Sequence, residues 1–201
     1  MVLRLTPPHR VVAENAGVSA ALSFADKPDL AGERVLLRPL GPEHVDDLLV
    51  ALTDPELLRL TGTHATFSRQ QIEQHCATRA EQRDRLDYAV LQRDSGRFIG
   101  DLAITDLDAD NRSCGFRIAL LTEVAGCGLG TEATRLIVDH VLAVGVHRIA
   151  LEVYLFNPRA RRMYQKVGFV PEGTLRDALY WDGQWVDAEV MALLATDPWK
   201  P

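Results

Sequence analysis

Ala125-Gly-Cys-Gly-Leu-Gly-Thr-Glu-Ala133 decides how the rest of the chain is read. Glycines alternate at 126, 128 and 130, and behind them Leu129, Ala133, Leu136, Ile137, Val141 and Val144 recur at helical spacing until Gly145. The spacing predicts a helix opened by a glycine-rich turn. Residues 113–121 ahead of the turn read as a strand, and Arg148-Ile-Ala-Leu-Glu-Val-Tyr-Leu155 behind the helix reads as another. Strand, turn, helix, strand is a βαβ unit, so the two strands are expected as parallel neighbours. Glycines at such a junction let the backbone approach a ligand. The unpaired amides of the first helical turn, with the helix dipole, then form an anion site suited to a pyrophosphate. A tight turn that merely permits helix–sheet packing is the alternative. A Walker loop would need a lysine where Gly130-Thr131 has none, and the run is GxGxG rather than the GxGxxG of a dinucleotide fingerprint.

Working outward, Arg34-Val-Leu-Leu-Arg-Pro-Leu40 is a strand ended by Pro39 and Gly41. Pro42 starts a helix carrying Val45, Leu48, Leu49 and Leu52, and Asp54-Pro55 caps and opens a short one to Leu60. Ser68-Arg-Gln-Gln71 fits a capping box, with Ile72, Cys76 and Ala80 on one stripe behind it. Residues 86–92 and 98–104, joined by Asp94-Ser-Gly-Arg97, give a hairpin that runs on through Asp108-Ala-Asp-Asn111 into the strand at 113. Downstream, Asn157-Pro158 opens a short helix closed by Gly168, and a last hairpin turns at Asp182-Gly183 between Trp181 and Trp185. The expectation is one mixed α/β domain over residues 33–196. A loosely ordered leader, 1–32, precedes it, and a tail, 197–201, follows.

Composition narrows the function. The 201 residues suit one domain, and 47% hydrophobic with 25% charged residues is ordinary globular composition. Twenty-two basic against 28 acidic residues leave a net charge of −6, which argues against nucleic acid or an anionic membrane as partner and is compatible with a cationic amine. No apolar run approaches the roughly 18 residues of a membrane span. Cys76, Cys114 and Cys127 form no CxxC pair and the six histidines show no ligand spacing, so neither a disulfide framework nor a metal site is expected. That usage fits a cytoplasmic, reducing compartment. The uncharged stretch 16–25 is a poor signal-peptide core, with Glu14 ahead of it and Pro7-Pro8 interrupting the basic end.

The glycine run resembles motif A of the GCN5-related N-acetyltransferases (GNAT). The block from Leu151-Glu-Val-Tyr-Leu-Phe-Asn-Pro-Arg-Ala160 to Arg162-Met-Tyr-Gln-Lys-Val-Gly-Phe169 resembles the family's motif B. Glu172-Gly-Thr-Leu-Arg-Asp-Ala-Leu-Tyr180 with Asp182-Gly183 is similar to the RimJ/RimL-type ribosomal-protein N-terminal acetyltransferases. The resemblance implies a central, mostly antiparallel sheet with a splayed parallel pair in its middle and helices on both faces. It implies acetyl-CoA as cosubstrate. Its pyrophosphate would be held by the amides of Gly126, Cys127, Gly128, Leu129, Gly130 and Thr131. Its pantetheine would pair with the strand bearing Phe116, Ile118 and Leu120 and contact Asn157. Tyr164 would be the general acid for the departing thiolate, and an amide near Ile118 or Ala119 would meet the developing oxyanion. One departure is Ala125, where the family usually has Gln or Arg, from which weaker CoA affinity is expected. Tyr164 packing one helix face and Asn157 acting only as a cap are the plainer alternatives.

For the base, Glu152 beside the notch is the first choice, with Asp101, Asp106, Glu123, His64 or ordered water as others. Cys127 is a small spacer. The implied reaction is direct attack by a primary amine in a ternary complex. Acceptors range over a peptide N-terminus, a polyamine, an aminoglycoside or another small amine, contacted from residues 60–67 and the hairpin near Trp181. A catalytically silent acyl-CoA-binding regulatory module is the main alternative, and a Rossmann-type nucleotide domain is disfavoured by the meander ahead of the glycine loop. Edge strands or the last hairpin offer surfaces for a homodimer.

Overall fold

The structure, a computed structural model, describes residues 22–198. Eight strands form one sheet: β1 (Leu30–Ala31), β2 (Val35–Pro39), β3 (Leu86–Gln92), β4 (Phe98–Asp108), β5 (Ser113–Leu120), β6 (Arg148–Tyr154), β7 (Val170–Trp181) and β8 (Gln184–Leu194). Their order is β1-β2-β3-β4-β5-β6-β8-β7, with β5–β6 parallel and every other pairing antiparallel. Five α-helices cover it: α1 (Val45–Ala51), α2 (Pro55–Thr61), α3 (Arg69–Arg79), α4 (Leu129–Val144) and α5 (Pro158–Val167).

The two faces are separate cores. Leu86, Tyr88 and Val90 of β3 pack with α4 and α5, while Ala89 and Leu91 pack with α1 and α3. This strand is therefore apolar almost throughout, as a strand covered on both faces must be. On α4, Ile137, Val138 and Val141 are wholly buried, each contributing about 1.5–3 kcal/mol by burial. Asp54 caps α2 by accepting from the Glu56 and Leu57 amides, and Ser68 with Gln71 closes the expected capping box on α3. The last hairpin turns at Asp182 and Gly183, both at positive φ (47° and 79°), as the sequence requires of a two-residue turn.

Some boundaries differ from expectation. Strand β4 runs on to Asp108, because its outer half continues the ladder with β5. Helix α3 ends at Arg79, and Ala80 is its exposed cap residue rather than part of the buried stripe. Residues 22–32, expected in the leader, are tied to the sheet: Phe24 is 1% exposed in the core, the Tyr88 hydroxyl donates to the Pro28 carbonyl (2.9 Å), and β1 pairs with β2. The rest of the leader, residues 1–21, and residues 199–201 lie outside the described residues. Among the described residues no helix is long and apolar enough to cross a membrane, and no group of His, Cys, Asp or Glu is arranged for a metal ion.

Candidate active site

The parallel pair holds together for only three register positions, Ser113↔Arg148, Cys114↔Ile149 and Gly115↔Ala150, and then diverges. The divergence opens a cleft of about 850 Å³. Residues 116–120 of β5 line one side and Glu152, Val153 and Tyr154 of β6 the other; α1–α3 close one end and α5 the other. Phe116, Ile118 and Leu120 all border it, as expected, with the Phe116 ring buried in the core edge-on to Tyr164 (centroids 6.2 Å apart).

Behind the notch lies a smaller hollow of about 200 Å³, bordered by Gly126, Gly128, Gly130 and Thr131 on one side and Arg159, Arg162 and Lys166 on the other. Leu120, Arg159, Ala160 and Met163 border both spaces, so the hollow runs into the cleft. Gly126 and Gly128 sit at φ 83° and 82°, a conformation side-chain-bearing residues rarely adopt. Among the described residues, the amides of Gly126, Cys127 and Gly128 have no backbone acceptor. Cys127 and Leu129 do not border the hollow with their side chains: the thiol is exposed, and the Leu129 side chain is buried beneath the loop. Only their backbone can serve a ligand.

The loop is braced from a distant part of the chain. The Arg34 guanidinium donates to the Cys127 carbonyl (2.9 Å) and to Glu132 of α4 (3.1 Å), whose carboxylate also accepts from the Arg34 and Val35 amides (2.7 and 3.2 Å). Burial works to raise the Glu132 carboxyl, but these amides and the guanidinium outweigh it and hold it below the usual range.

Tyr164 is buried on α5, borders the cleft, and among the described residues has no hydrogen-bond partner for its hydroxyl. Burial pushes its phenol well above the ordinary value, so it stays protonated as a donor. Asn157 caps α5 by accepting from the Ala160 amide (3.1 Å) and also borders the cleft, which leaves its amide nitrogen for a ligand.

Of the carboxylates named from the sequence, the cleft brings together Glu152 and Asp101. Glu152 is exposed, whereas Asp101 is paired with Arg117 (3.0 Å). Asp106 accepts from Thr105 away from the cleft, and Glu123 is paired with Arg97. His64 stacks on Trp181 (4.6 Å, 27°), joining the 60–67 segment to the last hairpin, while Leu60, Thr61, Thr63 and Phe67 of that segment border the cleft. The sequence reasoning missed Arg34, Tyr154, Arg79 and the Arg159/Arg162/Lys166 row. The row alone had a readable signal, since 159, 162 and 166 share one helix face.

Alternating glycines with free amides, a facing basic row and a notch leading to a buried phenol together fit acetyl-CoA. The chain matches the Acetyltransferase (GNAT) domain over residues 34–170. It belongs to that family. It is therefore an acetyl-CoA-dependent N-acetyltransferase acting on amines. It is 26% identical over 168 residues to the spermidine N(1)-acetyltransferase of Escherichia coli (strain K12), covering 79% of this chain and 85% of that protein. To the uncharacterized N-acetyltransferase YoaA of Bacillus subtilis it is 24% identical over 172 residues, covering 83% and 97%. The spermidine N-acetyltransferase of Vibrio cholerae, solved in complex with CoA and spermine, superposes with a TM-score of 0.77 at 20% identity, over 83% of this chain and 98% of that one. That likeness speaks for the fold.

Proposed function

We propose that acetyl transfer takes place in the β5–β6 notch, with Tyr164 as the proton donor and Glu152 as the proton acceptor. The observation that carries this is the divergence of β5 from β6 at a point where a buried, unpartnered phenol and an exposed carboxylate border one cleft. The free amides of 126–128 and the first turn of α4 receive the pyrophosphate, helped by Arg159, Arg162 and Lys166. The backbone of 116–120 and the Asn157 amide nitrogen align the pantetheine arm. Bound acetyl-CoA supplies the acetyl group as an activated thioester.

Glu152, directly or through one water, takes a proton from the ammonium so that the neutral nitrogen can attack. A C–N bond forms, the C–S bond breaks, and the second proton lost by the attacking nitrogen ends on the departing thiolate, leaving an amide and CoA thiol. An amide of β5 near Ile118 or Ala119 stabilises the negative charge on oxygen, and Tyr164 donates to the departing sulfur. Because the phenol, already less acidic than a free thiol, is raised further by burial, Tyr164 donates mainly as a hydrogen bond to sulfur as charge builds there.

The acceptor is a primary amine entering from the α1–α3 side. Relatives named for spermidine support an amine, and the 172–183 hairpin supports the RimJ/RimL-type reading, whose acceptors are N-terminal amines. With apolar walls and two carboxylates, one already paired, the cleft fits an amphipathic amine better than a polycation. Three free cysteines are in keeping with a reducing, cytoplasmic setting. Release of CoA thiol from acetyl-CoA against a panel of N-terminal peptides, polyamines and aminoglycosides tests the reading. Turnover with one amine class is expected. Turnover with that class undiminished in Tyr164→Phe would remove the assigned acid.

A further inference from the structure

The acceptor half of the cleft has two unlike walls. Helices α1 and α2 supply Leu48, Leu57 and Leu60. Helix α3 turns Gln74, His75 and Arg79 into the same space beside Ile72, while Cys76 takes its buried side.

Arg79 is the uncompensated charge of this wall. Its guanidinium donates to the His75 carbonyl (3.2 Å) and to the Gln82 side-chain oxygen (2.9 Å), both neutral. Among the described residues no carboxylate pairs with it, and the nearby acids are engaged. Asp87 is held by Arg85 through two contacts of 2.7 Å, and Asp101 by Arg117. Lys27 adds positive charge by donating to the Arg79 carbonyl. Burial, then Arg85 and Arg117 against the opposing pull of Asp87, push Arg79 below its ordinary value, and burial with Arg79, again against Asp87, does the same to His75 and favours its neutral form. A half-buried cation without a counter-ion is costly, and an anionic ligand relieves that cost.

The opposite charge stands across the notch. Beyond the 115↔150 pair, where the strands part, Arg117 of β5 and Glu152 of β6 both border the notch; Arg117 is paired with Asp101, so the acceptor half is cationic at Arg79 on α3 and anionic at Glu152 on β6. We propose that Arg79 is an anion subsite receiving a carboxylate of the acceptor. The acceptor is then a small apolar molecule with an amine at one end and a single carboxylate at the other, an apolar amino acid or short peptide. A polyamine would set a second ammonium against Arg79, a like-charge contact that selects against it. One uncompensated guanidinium beside a neutral imidazole matches one negative charge. This inference rests on the amine-acetyltransferase reading and deepens it.

The test compares Leu-Leu, its C-terminal amide and spermidine as acceptors. For the wild-type protein, kcat/KM for Leu-Leu is expected to exceed both others by at least about tenfold, the size of a charge-assisted hydrogen bond. Arg79→Gln closes the gap between acid and amide by raising KM for the acid, and Arg79→Lys retains part of it. Equal rates for acid and amide, a preference for spermidine, or an acid-to-amide ratio that survives in Arg79→Gln would each overturn the subsite. Calorimetric binding of N-acetyl-Leu-Leu and its amide, with CoA present, separates this from the transfer reading. If no amine turns over yet the acid binds at least tenfold tighter, the subsite stands and the transfer roles fall; equal binding overturns the subsite. Should Arg79→Gln fail to give a folded protein by thermal melting, the Lys variant and the wild-type comparison still decide.

Discussion

The two halves of the cleft are built from different material. The half proposed for the donor is largely backbone: the amides of Gly126, Cys127 and Gly128, the first turn of α4 and the unladdered edge of β5, with the basic row of α5 beside them. The acceptor half is side chains, apolar from α1 and α2 and polar from α3. A surface of amides recognises what every acyl-CoA shares and tolerates little substitution. A surface of side chains can be rewritten residue by residue while the fold stays, so on the proposed reading substrate choice would reside in α1–α3.

Variants that strike one half and spare the other break or sharpen this contrast. The largest effect belongs where the halves meet. Tyr164→Phe keeps the edge-on packing with Phe116 and Phe169 but removes the donor, and kcat is expected to fall by about 10²-fold or more in steady-state assays with KM for acetyl-CoA unmoved. A loss below threefold would return Tyr164 to a packing role. In the acceptor half, Leu57→Ala should cost about 2–3 kcal/mol in denaturant melts and raise KM for the amine, not for acetyl-CoA. In the donor half, Arg34→Ala releases the Cys127 carbonyl, and KM for acetyl-CoA should rise about fivefold, the worth of a half-exposed charged contact. Movement of the amine KM in that variant instead would dissolve the division.

The smallest effect concerns pH. The Glu132 carboxyl is held below its usual range when folded, so its contribution is full above the unfolded value of about 4.3 and is lost as pH falls through the lower folded one. The difference in melting temperature between wild type and Glu132→Gln should therefore be present at pH 7 and shrink at pH 3.5. A difference independent of pH would assign Glu132 a purely packing role.

The same division explains what could be read from the sequence. The donor half is local: three alternating glycines, a helical period and Asn157-Pro158 lie within some 35 consecutive residues, and each element formed where its pattern placed it. Ala125 gave the expectation of weaker CoA affinity. The contact that braces the loop comes from Arg34, whose partner Cys127 is 93 positions away, and no local pattern announces such a pairing. Arg79 was equally hidden. A solvated helix arginine and one turned into a cleft without a counter-ion look alike until α3 docks. Phe24 and Pro28 looked like leader for the same reason, since their value lies in long-range contacts, Phe24 in the core and with the Arg83 carbonyl, Pro28 with the Tyr88 hydroxyl.

The brevity of the β5–β6 ladder has a consequence for the protein's endurance. After its third register position the inner edge of β5 carries main-chain groups that no neighbouring strand engages, so the sheet is a strand short in its middle. A pantetheine arm lying there, as proposed, would complete it, and ligand binding would become part of the folding equilibrium. At a hundred times its dissociation constant a bound ligand adds about 2.7 kcal/mol to stability. The amides of 116–120 would then exchange their hydrogens more slowly as acetyl-CoA rises. The stability of the folded enzyme would thereby be coupled to the supply of the metabolite it spends.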